Sequence, residues 1–252
     1  MTQVFKIGGN VIDNIEELRK FLKDFASVPG KKILVHGGGK EASELSRKMG
    51  VEPMMTNGRR ITDEKTLEIV TMVYAGMINK RIVSILQEYE CNAVGLSGAD
   101  GNVIPAKKRD VFPVDFGFVG DIEPSDINTD FISLLCENNY TPVFCAICRD
   151  KKGGLLNCNA DSIASALAIA ISKSNTAELI YCFEKQGVLD AEGNVINKIT
   201  PETFDNMVKE GEIYGGMIPK VDNALKALAQ GVDSVRICSS QNFLNSKGTL
   251  IS

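Results

Sequence analysis

The sequence predicts an α/β fold organised around a parallel sheet. Two apolar segments, residues 3–7 and 32–35, are typical of short buried strands, and each runs directly into glycines, Gly8-Gly9 in the first case and Gly37-Gly38-Gly39 in the second. The second glycine turn is followed at once by a helix-like segment, residues 40–49. This order of strand, glycine turn and helix is typical of parallel strands joined by crossover helices.

The glycine turns are also the first indication of function. Glycine lets backbone N–H groups come close to an anion, and the N-terminus of a following helix adds the positive end of its dipole. Lys6 lies just before the first glycine turn. We therefore expect one anion site beneath two loops.

Composition limits the classes of protein to consider. The chain has 252 residues, 44% of them hydrophobic, enough for one large α/β domain or two tight lobes. Its net charge of −4 and pI near 5.3 provide no basic footprint for nucleic acid. The longest nearly continuous apolar run, residues 163–171, is too short for a membrane span, and no signal-peptide core precedes the first strand. Seven cysteines, an odd number scattered through apolar segments, predict buried free thiols in the cytoplasm.

The first half of the chain alternates helices with strands. Apolar residues at helical spacing predict a helix at 14–25, capped by Asp13 or Asn14. A polar loop at 56–62 carries two arginines and leads into the longest predicted helix, at about 63–88. The apolar face of that helix consists of Leu67, Val70, Val73, Met77, Ile78, Ile82, Ile85 and Leu86. Because Ala75-Gly76 would permit close packing, an interface and a crossover helix on the sheet are equally favoured.

The middle of the chain predicts another strand at 93–97 and then hairpins. Prolines and glycines in a short alternating pattern at 103–122 indicate hairpins that project from the sheet edge. A helix at 130–138 and a strand at 142–147 return to the α/β alternation. Cys145 and Cys148 form a C-x-x-C pattern, which we interpret as buried strand residues because no helix N-terminus follows.

Two helix starts in the second half carry polar residues. Asn157-Cys-Asn-Ala-Asp161 precedes an alanine-rich helix to about 172, and the residues alone leave a ligand site and an elaborate N-cap equally open. Lys220 follows Gly215-Gly216 near the start of a helix to about 230, where the dipole disfavours a cation. A bound anion would explain this lysine, and a solvent-facing side chain is the alternative. The remaining elements are predicted as strands at 178–183, 232–238 and 248–251, a hairpin near 191–194 and a helix at 201–209.

These residues suit phosphate chemistry better than metal or nucleophilic catalysis. The single histidine, His36, excludes a two-histidine metal site and would have to serve any histidine-based nucleophile triad. The segment from His36 to Lys40 lacks P-loop spacing, and no G-x-G-x-x-G occurs. Lysines, an arginine and glycine turns match phosphoryl transfer, which depends on positioning and charge neutralisation. A carboxylate acceptor, with a reference pKa of about 4.3, would already be ionised and would need no general base.

Six motifs, taken together and in this order, resemble those of the amino acid kinase family. They are Lys6-Ile-Gly-Gly, His36-Gly-Gly-Gly, Asn57-Gly-Arg-Arg-Ile-Thr, Gly95-Leu-Ser-Gly-Ala-Asp-Gly, Asn157-Cys-Asn-Ala-Asp and Gly216-Met-Ile-Pro-Lys. Each motif alone is weak evidence for the family. Together they are specific, because the match covers nearly the whole chain. Within the family, the chain looks most like the branch that phosphorylates the γ-carboxylate of N-acetyl-L-glutamate in arginine biosynthesis.

The resemblance implies an αβα sandwich around an open, mainly parallel sheet of about eight strands, with protruding β-hairpins. An N-terminal lobe, residues 1–174, would bind the acyl-amino acid and form a dimer. A C-terminal lobe, residues 175–252, would bind ATP. Mg²⁺ in this family is carried by the nucleotide, so no metal site on the protein is expected.

The resemblance also assigns roles residue by residue. The catalytic residues would be Lys6 and Lys220, which stabilise the transferring phosphoryl group, and Asp161, which holds both lysines in place. Substrate contacts would come from Gly37, Gly38, Arg60 and Asn157. Among these, Arg60 would bind the α-carboxylate through its guanidinium fork and Asn157 would contact the substrate amide. Nucleotide contacts would come from Gly8, Gly9, Glu184, Gly215 and Gly216, and Gly38 would also donate to phosphate.

Two features depart from the family pattern. Relatives usually carry a Ser/Thr-Asp pair after the strand at 178–183, where this chain has Phe183-Glu184-Lys185-Gln186. The chain also starts directly at its first strand, whereas arginine-inhibited hexameric relatives carry an additional N-terminal helix. We therefore expect a homodimer, formed through the helix at 63–88, that is insensitive to arginine.

The sequence is compatible with several alternatives. Aspartate kinase, glutamate 5-kinase, carbamate kinase and UMP kinase share the sheet and glycine turns, although a free-amine substrate would favour an acidic residue in place of Asn157. A non-catalytic amino-acid or nucleotide sensor should have lost Lys6, Asp161 or Lys220, and all three are present. The basic patch Lys107-Lys108-Arg109 keeps a succinyl substrate possible beside the preferred acetyl one, with a solvated hairpin tip as the simpler explanation.

Overall fold

The structure is a computed structural model that describes residues 1–56, 58–213, 217–245 and 247–252. The strands are β1 (Thr2–Ile7), β2 (Lys31–His36), β3 (Met55–Thr56), β4 (Arg59–Arg60), β5 (Ala93–Leu96), β6 (Lys107–Lys108), β7 (Gly120–Asp121), β8 (Thr141–Cys145), β9 (Ile147–Arg149), β10 (Leu155–Asn157), β11 (Ala177–Phe183), β12 (Lys198–Ile199), β13 (Ser234–Ser239) and β14 (Thr249–Ile251). The helices are α1 (Gly9–Asp13), α2 (Ile15–Ser27), α3 (Gly39–Lys48), α4 (Glu64–Thr71), α5 (Asn79–Glu88), α6 (Thr129–Glu137), α7 (Ala160–Ser172), α8 (Pro201–Lys209) and α9 (Met217–Ala229). A π-helical segment, Met72–Ile78, joins α4 to α5.

Within the described residues, one sheet of eight strands runs in the order β12-β14-β13-β11-β1-β2-β8-β5. Its neighbouring strands there are parallel, except that β13 and β14 are antiparallel. The prediction of an open, mainly parallel sheet of about eight strands is confirmed. Because this sheet is continuous from β2 through β1 to β11, the division at residue 174 stays a prediction.

The chain places its glycine turns at one edge of this sheet. Parallel strands end at the same edge, so the segments that follow β1, β2 and β11 lie together there. The sheet grows on one side of β1 through β2 and β8, and on the other side through β11 and β13. Ligand crevices in open α/β sheets form at such a reversal of strand order, outside the carboxyl ends.

Helices cover the sheet by burying apolar faces. In α2 the Asn14 side chain caps the helix by accepting from the N–H groups of Glu16 and Glu17. Of the two predicted caps, Asp13 and Asn14, the structure therefore uses Asn14. The buried ring of Phe25 packs edge-on against Phe5 of β1, with ring centroids 5.1 Å apart. The alanine-rich helix α7 packs against β1, β2 and β11, where its small side chains allow close approach.

The long helix is confirmed, but its middle is not α-helical. Asp63 caps it by accepting from the Thr66 N–H. Met77, which a regular α-helix would bury with the apolar face, is 43% exposed because the wider turns of the π-helical segment rotate the faces. By length and composition the helix Glu64–Glu88 could cross a membrane, and half of its most apolar window is buried inside the fold. Core helices of proteins in water share this length and composition.

The middle of the chain agrees with the predictions except at one strand. The expected strand at 142–147 is instead two strands, since β8 ends at Cys145 and β9 leaves the main sheet to pair antiparallel with β10. Cys145 and Cys148 therefore lie on different strands, and both thiols are buried and free, as predicted. Antiparallel pairing of β6 with β7 confirms a hairpin between 103 and 122. The edge strand β12 was not predicted.

Candidate active site

Lys6 and Asp161 form an ion pair at the carboxyl edge of the sheet. Lys6 Nζ, from the end of β1, lies 2.8 Å from Asp161 Oδ1 in the first turn of α7. The Asn159 side chain caps this helix by accepting from the N–H groups of Asp161 and Ser162, at 2.8 and 3.1 Å. Because Asn159 serves the cap, the Asp161 carboxylate can hold a cation. The two interpretations of this segment, a cap and a polar site, are thus compatible.

Lys220 approaches the same place from α9. Its Nζ lies 3.6 Å from the centroid of the Phe183 ring, and Lys6 Nζ lies 4.9 Å from that centroid. Burial lowers the pKa of Lys220; the nearby Asp161 carboxylate raises it, and Lys6 lowers it further. Lys220 is therefore half-buried against a ring and is not the solvent-facing lysine of the alternative. Two ammonium groups beside Asp161 leave a local excess of positive charge that suits an anion.

The glycine turn after β2 lines a cavity of about 180 Å³ next to this cluster. Gly38 adopts a φ of 148°, which only glycine tolerates, and a Cβ there would overlap Ile78 on the long helix. The cavity is lined by Gly37, Gly38, Gly39, Met55, Gly58, Arg59, Arg60, Tyr74, Arg109, Val119, Ala146, Asn157, Cys158, Asn159 and Ala160. Since Ala160 directly precedes Asp161, the start of α7 joins the cavity to the lysine cluster.

Arg60 is the buried cation of this cavity. Its side chain belongs to a residue only 7% exposed, and Nη2 donates to the Gly39 carbonyl at 2.8 Å and to Ser43 Oγ at 2.7 Å. Nη1 is buried and makes no hydrogen bond within the described residues. A buried donor without a partner is costly, and a carboxylate matches the planar guanidinium fork. The guanidinium thus has a place for a carboxylate ligand.

Asn157 lines the same cavity with its amide fixed. The residue is 8% exposed, and Nδ2 donates to the buried Thr62 Oγ1 at 3.0 Å. This bond does not use the side-chain oxygen, which can accept from a ligand. The predicted substrate residues Gly37, Gly38, Arg60 and Asn157 therefore share one cavity.

The predicted nucleotide residues are only partly described. Gly8 donates its N–H to the Cys182 carbonyl at 3.0 Å and lies against Phe183, so the first glycine turn borders the lysine cluster. Gly9 and Glu184 are exposed beside it. Gly215 and Gly216 lie outside the described residues. The nucleotide roles of all five stay predictions.

Comparison with known proteins identifies the family. The profile of the amino acid kinase family matches residues 1–239. The chain belongs to that family. The protein named acetylglutamate kinase from Cytophaga hutchinsonii is 47% identical over 96% of this chain and 92% of its own. The one from Phocaeicola vulgatus is 45% identical over 98% and 97%, and the one from Methanopyrus kandleri is 36% identical over 99% of both.

Solved structures agree on the amino acid kinase fold. The protein smu.665 from Streptococcus mutans is 28% identical and superposes with a TM-score of 0.78 over 100% of this chain and 98% of its own. Carbamate kinase from Giardia lamblia, 17% identical, reaches a TM-score of 0.71 over 99% and 97%. The sequence resemblance to the family is confirmed.

Tyr74 lines this cavity without having been predicted from the sequence to belong to the site. Tyr74 comes from the π-helical segment, whose register the α-helical pattern does not reveal; burial raises the pKa of its hydroxyl, which Arg60 partly offsets. The sequence leaves a cap and a ligand site equally open for Asn159, and the structure gives it both positions, since it caps α7 and lines the cavity.

The three residues of the basic patch, Lys107, Lys108 and Arg109, lie in different surroundings in the structure. Arg109 lines the cavity and pairs with Asp121 across the hairpin. Lys107 and Lys108 are both exposed, and Lys108 Nζ lies 4.7 Å from the centroid of the Phe118 ring. The simpler explanation of the patch, side chains that face water, therefore fits the two lysines but not Arg109. Among the described residues, no group of three or more His, Cys, Asp or Glu side chains is arranged to hold a metal ion.

Proposed function

We propose that the protein is an ATP-dependent kinase that phosphorylates the γ-carboxylate of an N-acyl-L-glutamate, with acetyl preferred and succinyl possible, in arginine biosynthesis. The observation that carries this proposal is Arg60 Nη1, which is buried and has no partner among the described residues, in a cavity that reaches Ala160, the residue before the Asp161 that pairs with Lys6. Relatives of nearly the same length named acetylglutamate kinase support the choice of substrate.

In this proposal the protein contributes position and charge. Arg60 holds the α-carboxylate, and Asn157 orients the acyl-amide. The ionised γ-carboxylate oxygen attacks the γ-phosphorus of ATP while the bond to the bridging oxygen breaks and ADP leaves. No proton has to be removed from the acceptor. Lys6 and Lys220 neutralise the charge that develops on the transferring group, and Asp161 keeps Lys6 in place. Mg²⁺ carried by the nucleotide would neutralise phosphate charge further.

The cavity favours an acylated amino acid over a free one. None of its lining residues among those described is Asp or Glu, whereas Arg59, Arg60 and Arg109 all border it. A free α-ammonium group would enter a cationic cavity without a counter-ion, which is unfavourable. This argues against glutamate itself as the substrate. A sensor without catalysis would have no need of the paired Lys6 and Asp161.

The decisive experiment is a coupled assay of ADP release with acetylglutamate, succinylglutamate and glutamate as acceptors. We expect turnover with an acyl-glutamate and little with glutamate. Turnover with glutamate alone would favour a glutamate 5-kinase. ATP binding without turnover of any acceptor would favour the sensor.

We also propose a cytoplasmic homodimer whose two-fold interface is the long helix, with nucleotide binding in residues 175–252. Met72, Gly76 and Met77 form an exposed apolar strip on the π-helical segment, and a Cβ at Gly76 would have no other part of the described chain within 4 Å, apart from its chain neighbours and the backbone of its own helix. Phe183 and Lys220, both in the C-terminal part, supply one side of the lysine cluster. Seven free, buried cysteines are compatible with a reducing compartment.

A further inference from the structure

His36 is the last residue of β2 and immediately precedes the glycine turn. It is fully buried, and it takes no part in the binding and transfer steps of the proposed reaction. Burial lowers the pKa of its imidazole to about 4, so the ring is neutral near pH 7. A neutral imidazole has one donor and one acceptor nitrogen.

The neighbouring groups determine which nitrogen carries the proton. Asn79 Nδ2 lies 2.9 Å from the Val143 carbonyl, which can only accept, so this atom is the amide nitrogen. The same Nδ2 lies 3.0 Å from His36 Nε2, which therefore accepts. The proton is then on Nδ1, which lies 2.9 Å from the Gly37 carbonyl and donates to it.

The Asn79 amide is fixed from its other side as well. Lys80 Nζ donates to Asn79 Oδ1 at 3.2 Å and to the Gly95 carbonyl at 3.0 Å. A Cβ on Gly95 would collide with Asn79 Oδ1, which explains the glycine that opens the Gly95–Gly101 motif. Each polar atom of His36 and Asn79 thus has a partner, and a satisfied buried network is rigid.

This network reaches the substrate cavity through one peptide group. In a trans peptide the carbonyl and the following N–H point in opposite directions. The Gly37 carbonyl is directed toward the buried imidazole, so the Gly38 N–H is directed away from it, on the side where Gly37 and Gly38 line the cavity.

The π-helical segment explains how the long helix can supply both contacts. Tyr74, which lines the cavity, and Asn79, which holds His36, are five residues apart. In an α-helix, with about 3.6 residues per turn, they would differ by roughly 140° in direction. The i to i+5 bonding of a π-helix brings such residues close to one face, and π segments are frequent at functional sites.

We propose that His36 and Asn79 are positioning residues, which orient the Gly37–Gly38 peptide so that the Gly38 N–H serves the acceptor substrate. This inference rests on the proposed function for its substrate. It adds a specific tautomer, Nδ1–H, and a mechanical link between the glycine turn and the helix assigned to the dimer interface.

Two substitutions test the hydrogen bonds of the two ring nitrogens one at a time. In His36→Asn the amide NH2 occupies the place of Nδ1 and retains the donor to Gly37, but contact with Asn79 is lost. In His36→Gln the longer side chain reaches the place of Nε2 and can accept from Asn79, but no donor reaches Gly37. Each variant loses one buried hydrogen bond, so we expect similar losses of thermal stability.

The catalytic effects should differ. Since a small misplacement of a binding group can cost about 10²-fold in rate, we expect kcat/KM for the acyl-glutamate to fall ~10²-fold in His36→Gln and less than ~5-fold in His36→Asn. Equal losses in the two variants, or losses that follow their melting temperatures, would show that His36 is merely structural.

A measurement on the unsubstituted chain covers the case in which both variants fail to fold. Because the chain has one histidine, a long-range ¹H–¹⁵N spectrum of untagged protein shows one imidazole. We expect the Nδ1–H tautomer at pH 7, and an Nε2–H tautomer or an imidazolium would overturn the inference. Wild-type turnover tests the proposed function alone, so the two failures are distinguishable. If no acceptor is turned over, calorimetric binding of acetylglutamate to the two variants replaces kcat/KM.

Discussion

Two buried cations of this molecule, Lys32 and Arg60, look alike by burial and differ in how their donors are used. Each belongs to a residue 7% exposed. Lys32 Nζ donates to the carbonyls of Phe25, Ala26 and Val28, at 2.9, 2.7 and 2.7 Å, and so closes the C-terminal end of α2. An ammonium has three donors, and all are used.

Arg60, in contrast, leaves Nη1 without a partner among the described residues at the wall of a cavity. The first cation completes a helix end, where positive charge meets the negative end of the dipole. The second is complete only with a ligand. Counting satisfied donors therefore separates a structural cation from a binding one, where burial alone does not.

The largest expected effect concerns Lys6 and Lys220, whose charges would act on the transferring phosphoryl group. Replacing Lys6 or Lys220 with Met should lower kcat by ~10²–10³-fold, because each removes a cation that stabilises the transition state. Asp161→Asn should act similarly through loss of its ion pair with Lys6. Circular dichroism should show intact folds. A near-normal kcat in a folded lysine variant would remove that lysine from the mechanism.

A paired substitution tests the comparison itself. Arg60→Lys should raise KM for the acyl-glutamate by ~10–150-fold, equivalent to losing a charged hydrogen bond of about 1.5–3 kcal/mol, with little change in melting temperature. Lys32→Met should lower the melting temperature and leave KM nearly unchanged, since it removes the donor of three carbonyls and Lys32 is not among the residues that line the Arg60 cavity. Steady-state kinetics and thermal unfolding of both variants provide the four values. If both variants changed KM and melting temperature in the same way, the distinction between a binding cation and a structural cation would be wrong.

The pH dependence of stability should report His36, another polar group whose hydrogen bonds are satisfied. The pKa of its imidazole is about 4 in the folded chain and 6.5 for an exposed ring. Between these values the unfolded chain binds more protons, so the free energy of unfolding falls as pH falls from 6.5 toward 4, by roughly 3 kcal/mol. Urea unfolding at pH 7 and 4.5 measures it. His36→Asn is the matched control, and an equal decrease in that variant would exclude the imidazole as the cause.

Arg109 should behave as a second ligand-directed cation. If its guanidinium binds a succinyl carboxylate, Arg109→Ala should cost succinylglutamate about 1.5–3 kcal/mol in kcat/KM and leave acetylglutamate nearly unchanged. The exposed Lys107 on the same hairpin is the control, and Lys107→Ala should change neither substrate. Equal losses for both substrates in Arg109→Ala would reject a role in distinguishing them.

The smallest effect on chemistry should come from the long helix. Gly76→Glu places a charge on the exposed apolar strip, at a position where a Cβ has room among the described residues. We expect monomers by light scattering, with the fold retained. A dimer that persists would return this helix to the role of a crossover.

The sequence by itself determined the features that depend on neighbours within a few residues. The strand–glycine–helix order and the apolar periodicities follow from side-chain spacing, and the first cap was limited to Asp13 or Asn14, of which the structure uses Asn14. The six family motifs likewise predicted that Arg60 and Asn157 would belong to one site. The structure confirms this order of elements and places Arg60 and Asn157 in one cavity, and their roles toward a substrate stay predictions.

Only the tertiary structure decided which distant groups meet. The π-helical turns, the break between β8 and β9, the use of all Lys32 donors and the pairing of His36 with Asn79, 43 residues away, have no local pattern. Arg109 and Lys107 are two residues apart and identical in charge, yet one lines the cavity and the other faces water. Such outcomes depend on how elements pack, because burial and donor satisfaction are properties of the assembled neighbours and not of the segment.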